Sequence, residues 1–324
     1  MKWNSIILVA ALLIAGLLVA GCVSEDAPAV QDATPAPTAA TPAPTAAPAP
    51  EELRIATTTS LYDTGLLDSL TPAFEEKYNA KLLIVSAGTG KALEYGQRGD
   101  VDVMMVHDRS REDTFIAEGN GVDRRVIAYN YFVIVGPESD PAGIRGTEPE
   151  EAFQTLMTEG KAGTPGVVFV SRGDSSGTHG KEKAIWKAAG YDYATDVQNS
   201  GDWYVEAGTG MGATLVMANE KEAYTLSDIG TFLAYKGDLQ LVPLVDSGDI
   251  LLNIYSTMLI NPEKHEGIDT ELGKAWINYL ISDEVQQEIK TFGVEEYGQP
   301  LFFPASGKSD LMGVPEAEVS APVV

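Results

Sequence analysis

The sequence has little cysteine, little histidine and little positive charge. Its 324 residues include one cysteine, Cys22, and three histidines, and 22 basic residues stand against 47 acidic ones. A single cysteine excludes a disulfide within one molecule. A net charge of -25 argues against binding to nucleic acid through a basic surface. His107 has no second ligand type near it, so we interpret it as structural and expect neither a metal nor a cofactor.

The chain also lacks a clear membrane-spanning segment at its start. The apolar run from Ile6 to Ala20 is too short, at about 15 residues, to span a bilayer comfortably. It follows Met1-Lys2 and precedes small residues and Cys22, an arrangement typical of a secretory signal with a lipoprotein-type cleavage site. We therefore interpret residues 1–22 as a signal peptide and Cys22 as the lipidation site. The protein is expected to be exported and lipid-anchored to the outer face of the cell membrane.

The rest of the chain divides by composition into a tether and a folded part. Residues 23–50 consist mainly of Ala, Pro and Thr, which cannot bury a core and favour an extended tether. About 270 residues remain, more than a typical single core holds, so we expect two lobes. We assign residues 51–136 plus 246–324 to lobe I and residues 137–245 to lobe II.

Alternating strand and helix patterns predict an α/β fold in which each lobe has a mainly parallel sheet flanked by helices. Two long apolar runs, Arg124 to Gly136 and Leu251 to Ile260, are suited to crossing between the lobes. An amphipathic helix from Thr270 to Ile281 and another from Glu284 to Phe292 are expected to pack back on the first lobe.

The loop Ser171 to His179 follows the apolar run Val167 to Val170 and precedes a helical pattern from Lys181. It therefore lies at a helix N-terminus, where unpaired N–H groups and the helix dipole favour an anion. Arg172, Ser176 and Thr178 add guanidinium and hydroxyl donors. This loop predicts an oxyanion site.

Two earlier turns have the same character. Thr57-Thr58-Thr59-Ser60 follows a strand and opens a helical pattern from Leu61 to Tyr78, with Asp63 placed as the capping-box partner of Ser60. Ala87-Gly88-Thr89-Gly90 follows the next strand. The same four-residue sequence recurs at 207–210, again before a helical pattern. Parallel strands bring such turns to one edge of the sheet.

Each of these turns also fits a simpler interpretation. Ser and Thr commonly cap helices, and Arg172 can pair with Asp174 on the surface. A nucleotide-binding P-loop is excluded at Gly90-Lys91, because that motif requires Gly at position 85 and Ser or Thr at 92. A hydrolase is disfavoured, because Asp174, Ser176 and His179 lie too close in sequence for a catalytic triad. A structural lipoprotein, which would bind no anion, is a third alternative.

Taken together, these stretches resemble the tungstate-binding proteins of ABC transporters, within the type II periplasmic binding proteins. The resemblance runs from about residue 53 to 305 and is carried by Thr57-Thr58-Thr59-Ser60, Ala87-Gly88-Thr89-Gly90-Lys91-Ala92-Leu93, Gly99-Asp100-Val101-Asp102-Val103, Phe132-Val133-Ile134-Val135-Gly136-Pro137, Ser171 to Thr178, Trp203-Tyr204-Val205-Glu206-Ala207-Gly208, Ala223-Tyr224-Thr225-Leu226 and Leu301-Phe302-Phe303-Pro304. Two positions depart from the family pattern: Tyr131 stands where it has Asp, and Ile229 stands where it has Arg. The second departure is expected to remove a positive charge from the second lobe.

The resemblance implies a two-lobed binding protein that closes on an oxyanion and delivers it to a membrane permease. It implies that the ligand is held by Thr58, Thr59, Ser60, Arg172 and Thr178, to which the local pattern adds Thr89 and Ser176. We expect a monomer that binds tungstate or molybdate and catalyses no reaction.

Phosphate is the alternative ligand, because the spacing from Arg172 to Thr178 is also similar to that of phosphate-binding transport proteins. Tungstate near neutral pH carries no proton and needs donors only, whereas phosphate keeps a proton and is best bound with a carboxylate acceptor. We expect Asp174 to orient Arg172 or to cap the helix, and not to accept a ligand proton.

Overall fold

The structure, a computed structural model, describes residues 49–324. The predicted signal peptide, the lipidation site Cys22 and most of the 23–50 tether lie outside the described residues. The first strand begins at Glu51, where the Ala/Pro/Thr-rich composition ends. No helix between residues 49 and 324 has the length and apolarity needed to cross a membrane.

Strands and helices alternate through most of residues 49–324. The strands are β1 (Glu51–Thr58), β2 (Ala80–Ala87), β3 (Val103–Val106), β4 (Gly121–Gly136), β5 (Phe169–Ser171), β6 (Tyr204–Glu206), β7 (Thr225–Asp228), β8 (Val242–Val245), β9 (Leu252–Ile260) and β10 (Phe303–Pro304). The α-helices are α1 (Thr59–Tyr62), α2 (Leu66–Tyr78), α3 (Thr89–Arg98), α4 (Arg109–Ala117), α5 (Pro149–Ala162), α6 (Gly177–Ala188), α7 (Met211–Glu220), α8 (Ile229–Tyr235), α9 (Thr270–Leu280), α10 (Asp283–Thr291), α11 (Val294–Tyr297), α12 (Ser309–Met312) and α13 (Glu316–Ser320).

The parallel part of the large sheet brings two of the predicted turns side by side. Strand β1 pairs in parallel with β2 on one side and with β3 on the other. The register sets Thr58 of β1 opposite Ala87 of β2, so the turns that follow both strands leave the same edge. Leu53 and Ile55 of β1 are fully buried, as expected for a strand that is covered on its faces by helices.

Strand β4 crosses from one part of the sheet to the other. Its residues Ala128 to Tyr131 pair with β9, and its residues Phe132 to Val135 pair with β7, in both cases antiparallel. The sheet order is β10-β4-β9-β3-β1-β2, and β7 and β8 pair with the C-terminal part of β4. The long apolar run at 124–136 therefore does cross, as its length predicted.

The region after β4 has its own apolar core and a short parallel sheet. Strands β5 and β6 pair in parallel, and an isolated parallel bridge joins Phe169 to Tyr224. Phe153, Phe169 and Trp186 are fully buried against one another, with the rings of Phe153 and Trp186 4.4 Å apart between centroids. This core fixes the position of β5 and of the loop that follows it.

The C-terminal helices pack back on the first part of the chain, as predicted. Trp276 of α9 meets Phe74 of α2 edge to face, with ring centroids 4.9 Å apart. Asn278 of α9 binds the backbone of Val323 twice: its Nδ2 donates to the carbonyl at 2.9 Å, and its Oδ1 accepts the N–H at 2.7 Å.

Two predicted helix starts are wrong. The pattern from Leu61 to Tyr78 is not one helix but α1 and α2, because the chain turns through Gly65, whose φ of +78° suits glycine. The cap of α1 is Thr58, and Asp63 follows the last residue of α1 instead of forming a capping box with Ser60. Helix α6 begins at Gly177, four residues before the predicted start, because Ser176 caps it there.

Candidate anion-binding site

Three loops end in the first turn of a helix and meet at the edge of the sheet. They follow β1, β2 and β5, and they open α1, α3 and α6. The N–H of Gly90 donates to the carbonyl of Ser175 at 2.8 Å, which joins the second loop to the third. The hydroxyl oxygen of Thr231, in α8, lies 3.4 Å from the carbonyl oxygen of Ser60. The predicted oxyanion loops are therefore neighbours in space.

Arg172 supplies the positive charge of this cluster, and it is almost fully buried. Its side chain is 3% exposed, and its Nη2 donates to Asp174 Oδ2 at 2.7 Å. The other oxygen of Asp174 accepts the N–H of Ser176 at 3.0 Å. Asp174 thus orients Arg172, which is one of its two predicted roles, whereas the cap of α6 is Ser176 and not Asp174. The alternative of an Arg172–Asp174 pair on the surface is wrong, because the guanidinium is enclosed.

Four buried polar atoms of the predicted site residues have no hydrogen-bond partner in the structure. They are the hydroxyl oxygens of Thr59, Thr89 and Thr178 and the Nε of Arg172. A buried donor without an acceptor costs free energy, and native proteins rarely leave several together. Other described residues also have buried unpaired atoms, such as the hydroxyl groups of Thr71 and of Thr57 beside Thr58, but these four belong to predicted site residues in the adjoining loops. They are donors available to a ligand.

The remaining predicted hydroxyl groups are engaged within the protein. Thr58 Oγ1 accepts the N–H of Leu61 at 3.2 Å, and Ser176 Oγ accepts the N–H of His179 at 3.1 Å. Ser60 Oγ lies 3.0 Å from Nε2 of His107. The helix-cap interpretation is therefore correct for Thr58 and Ser176. These caps satisfy the N–H groups of Leu61 in α1 and His179 in α6, and the first N–H groups of a helix have no acceptor within the helix itself.

Asp228 is a fully buried acid whose pKa is influenced by the charge of Arg172. Burial raises its pKa, and the hydrogen bonds from Thr231 and the charge of Arg172 oppose that shift. Both of its oxygens are used, since one accepts the N–H of Thr231 at 2.8 Å and the other accepts its hydroxyl at 2.7 Å. The cluster therefore presents donors, while its buried carboxylates face other partners. Such a site suits an anion that carries no proton.

The geometry of the loop argues against the hydrolase alternative. Residues 173–177 fit the Gly-x-Ser-x-Gly pattern of a nucleophile elbow, with Ser175 in the nucleophile position. The Ser175 side chain is exposed, however, and both ring nitrogens of His179 are occupied. Nδ1 of His179 donates to the carbonyl of Asp174, and Nε2 lies 2.9 Å from the hydroxyl of Tyr193. No base contacts the serine.

Sequence reasoning missed a set of buried polar residues beneath the turns. His107 was interpreted as structural, and it is fully enclosed by Ser60 and Asn253. Asn253 and Asn130 face each other across the pair β4 and β9. The signal that could have found them is an amide side chain in the middle of each apolar crossing run. Within residues 49–324 no cluster of three or more His, Cys, Asp or Glu could hold a metal ion.

The two departures from the family pattern lie together. Tyr131 and Ile229 line one cavity of about 360 Å³, which Phe232 and Phe303 also line.

Comparison with known proteins agrees with this architecture. The profile of a PBP superfamily domain matches residues 37–284. A Haloferax volcanii protein whose name marks it provisionally as an ABC transporter anion-binding protein is 47% identical over 260 residues, covering 78% of this chain and 72% of that protein. The tungstate-binding protein TupA of Peptoclostridium acidaminophilum is 41% identical over 254 residues, covering 78% of this chain and 86% of that protein.

A solved structure shows the same arrangement. The crystal structure of the tungstate ABC transporter from Geobacter sulfurreducens is 46% identical to this chain, with a TM-score of 0.65. The match covers 73% of this chain and 97% of that one. Together with the sequence relatives, this match confirms the resemblance drawn from the short motifs.

Proposed function

This chain belongs to the PBP superfamily, and from that membership we propose that it is the substrate-binding protein of an ABC importer for tungstate. The observation that carries the proposal is the group of buried, unpaired donors on Thr59, Thr89, Thr178 and Arg172. Together with first-turn N–H groups they can replace the hydration shell of a small dianion. Molybdate has the same shape and charge and is expected to bind at the same place.

The preference for tungstate over phosphate is supported by how the buried carboxylates are used. A protonated phosphate is best bound where a carboxylate accepts its proton. Asp174 and Asp228 each have both oxygens in hydrogen bonds to the protein. Each of these oxygens already accepts a hydrogen bond that shapes the loop or the helix start, which leaves them less able to accept the proton of a ligand.

Calorimetric titration of residues 23–324 with tungstate, molybdate, phosphate and sulfate tests the ligand. We expect heat with tungstate and molybdate, and an increase in melting temperature, since a ligand that binds only the folded form stabilises it. The variant Asp174→Asn is the matched test. Phosphate binding that is present in the unchanged protein and absent in the variant would assign the site to phosphate. No binding of any anion would favour a structural lipoprotein.

We propose that binding proceeds by closure of lobe I (51–136 plus 246–324) on lobe II (137–245). The anion would dock at the turn of Thr58 to Ser60, and closure would bring Arg172, Ser176 and Thr178 onto its other oxygens. The bond between Gly90 and Ser175 belongs to the closed form in this scheme. Small-angle scattering with and without tungstate tests it, and an unchanged radius of gyration would contradict it.

The proposed setting is the outer face of the cell membrane. Cleavage before Cys22 and its lipidation would anchor the protein as a monomer near its permease. Metabolic labelling with a fatty acid tests this anchor, with Cys22→Ser as the control. Labelling that survives in the variant would contradict the assignment of Cys22.

A further inference from the structure

A chain of hydrogen bonds runs from a backbone carbonyl toward the turn after β1, and each link fixes the direction of the next. The carbonyl of Leu301 can only accept, so Asn130 directs its Nδ2 to it at 3.3 Å and its Oδ1 to Asn253. Asn253 therefore donates from Nδ2, at 2.9 Å. Its own Oδ1 then lies 3.0 Å from Nδ1 of His107. Because an amide oxygen only accepts, the proton of His107 is on Nδ1.

The surroundings of His107 keep its ring neutral. Burial lowers the pKa of His107 to about 4, and the charges of Arg172 and Lys181 act in the same direction, while the bond to Asn253 opposes them. The ring of Tyr255 stacks on the imidazole at 4.8 Å between centroids. A neutral ring with its proton on Nδ1 has an unprotonated Nε2, which can only accept.

We propose that Asn253 and His107 are positioning residues that hold the Ser60 hydroxyl as a donor to His107, so that neither Ser60 nor Thr58 offers a proton to the ligand. Ser60 Oγ donates to Nε2 of His107 at 3.0 Å. Thr58 Oγ1, 3.3 Å from Ser60 Oγ, supplies the proton of that second contact. Thr58 Oγ1 in turn accepts the N–H of Leu61.

This inference rests on the proposed function, because it decides which hydroxyl groups of the cleft contact the anion. Among the predicted site residues, the hydroxyl protons that remain belong to Ser176, whose Oγ is engaged only as an acceptor, and to Thr59, Thr89 and Thr178, which have no partner. Ser60 presents only lone pairs, which repel a fully deprotonated oxygen. The serine therefore restricts where the anion can lie and contributes its backbone N–H rather than its side chain.

The relay also connects the site to the crossing strands. Asn130 lies on β4 and Asn253 lies on β9, and they are direct partners in the register of that pair. A change in the position of these strands would alter the bond to His107. The direction of the Ser60 hydroxyl is thus set by the part of the fold that joins the lobes.

The direct test is the proton position on His107, measured by NMR with ¹⁵N-labelled histidine in residues 23–324. The chain has three histidines, so single substitutions of His179 and His265 assign the spectrum. We expect a protonated Nδ1 and an unprotonated Nε2 at pH 7, both before and after addition of tungstate. A proton on Nε2 under these conditions would overturn the relay.

Asn253→Asp is the variant that reverses the relay. A carboxylate beside Nδ1 favours the doubly protonated ring, so His107 becomes a donor to Ser60 at pH 7. Asn278→Asp is the matched control, because Asn278 also has both amide atoms bonded but holds Val323 far along the chain. We expect the spectrum of His107 to change in the first variant and not in the second. A neutral His107 in Asn253→Asp would contradict the proposal.

Two substitutions of His107 provide a test that does not depend on the folding of Asn253→Asp. Gln can place an acceptor near the position of Nε2, whereas Asn reaches only the position of Nδ1. We expect His107→Gln to keep an affinity for tungstate close to that of the unchanged protein, and His107→Asn, which frees the Ser60 proton to turn toward the anion, to change the affinity by about tenfold. A larger change for His107→Gln than for His107→Asn would contradict the relay.

Failure of the proposed function is distinguishable from failure of the relay. The expected proton on Nδ1 without any heat from tungstate would leave the relay standing and refute the tungstate assignment. Heat from tungstate together with a proton on Nε2 would refute the relay and leave the assignment standing.

Discussion

The backbone N–H of Gly90 donates to the carbonyl of Ser175 at 2.8 Å, and this bond joins the loop after β2 to the loop after β5. The two loops carry Thr89 and Thr178, whose buried hydroxyl groups have no partner. A Cβ added at Gly177 would lie 3.3 Å from Thr89 Oγ1, which shows how closely the loops approach. The close contact of the loops is what brings the donors of separate helices into one cluster.

Gly90→Ala is expected to weaken tungstate binding by separating these loops. An added Cβ would lie 2.7 Å from Cβ of Ser175, so one loop must move. Overpacking of this kind costs about 1–3 kcal/mol, which corresponds to a fivefold to hundredfold change in Kd if the closed form bears it (order of magnitude). Titration calorimetry measures the change. Gly237→Ala is the control, because its Cβ would meet nothing within 4 Å; equal affinities for both variants would contradict the prediction.

Arg172→Lys is expected to reduce affinity even though the charge is kept. The guanidinium uses Nη2 for Asp174 and leaves Nε free, and a single ammonium cannot reproduce both positions. Loss of one charge-assisted hydrogen bond costs about 1.5–3 kcal/mol, or roughly tenfold to a hundredfold in Kd. Arg145→Lys, on the exposed loop before α5, serves as the control in the same titration. An unchanged Kd for Arg172→Lys would show that the guanidinium does not contact the anion.

Thr178→Val separates ligand binding from stability. Removal of an unpaired buried hydroxyl relieves a cost in the free protein, so the melting temperature without ligand is expected to stay equal or to rise. The affinity for tungstate is expected to fall by about tenfold. Thr225→Val is the control and is expected to lower the melting temperature, because Thr225 Oγ1 donates to the carbonyl of Val170 at 2.6 Å. A lower melting temperature for Thr178→Val would show that the Thr178 hydroxyl is paired in the free protein.

Glu182→Gln is expected to stabilise the protein above neutral pH. Burial raises the pKa of Glu182 to about 7, against the hydrogen bonds from Ser171, Tyr204 and Trp186. The folded state then holds a proton that the unfolded state releases near pH 4.5, so this group's contribution to stability falls as pH rises from about 4.5 to 7, by roughly 3 kcal/mol. Gln mimics the protonated acid and removes this loss.

Urea unfolding at pH 5 and pH 8 measures the effect as the difference between Glu182→Gln and the unchanged protein. The two should be similar at pH 5, and the variant should be more stable at pH 8. Glu151→Gln, on the exposed face of α5, controls for the change of charge. A variant that is less stable than the unchanged protein at pH 8 would show that the fold favours the ionised carboxylate of Glu182, which contradicts a raised pKa.

Local patterns predicted most elements of the fold and failed at particular helix starts. Strand β1 and the crossing strand β4 were predictable from the sequence, because their apolar residues must be buried in any fold. The start of α6 was placed late because Ser176 could cap the helix or face a ligand, and the sequence favours neither. The break at Gly65 depends on a left-handed backbone conformation, which a helical spacing of leucines does not reveal.

The sequence by itself determined that hydroxyl-rich helix starts follow parallel strands, and that a guanidinium with an acid two residues later accompanies one of them, because these features are local. Only the tertiary structure decided which hydroxyl groups are free. Thr58, Ser60 and Thr59 are adjacent in sequence, yet the first two are engaged by Leu61 and His107 while the third has no partner. A hydroxyl can turn toward any acceptor within hydrogen-bond distance, and those acceptors come from distant parts of the chain. His107, which directly follows β3, is one of them.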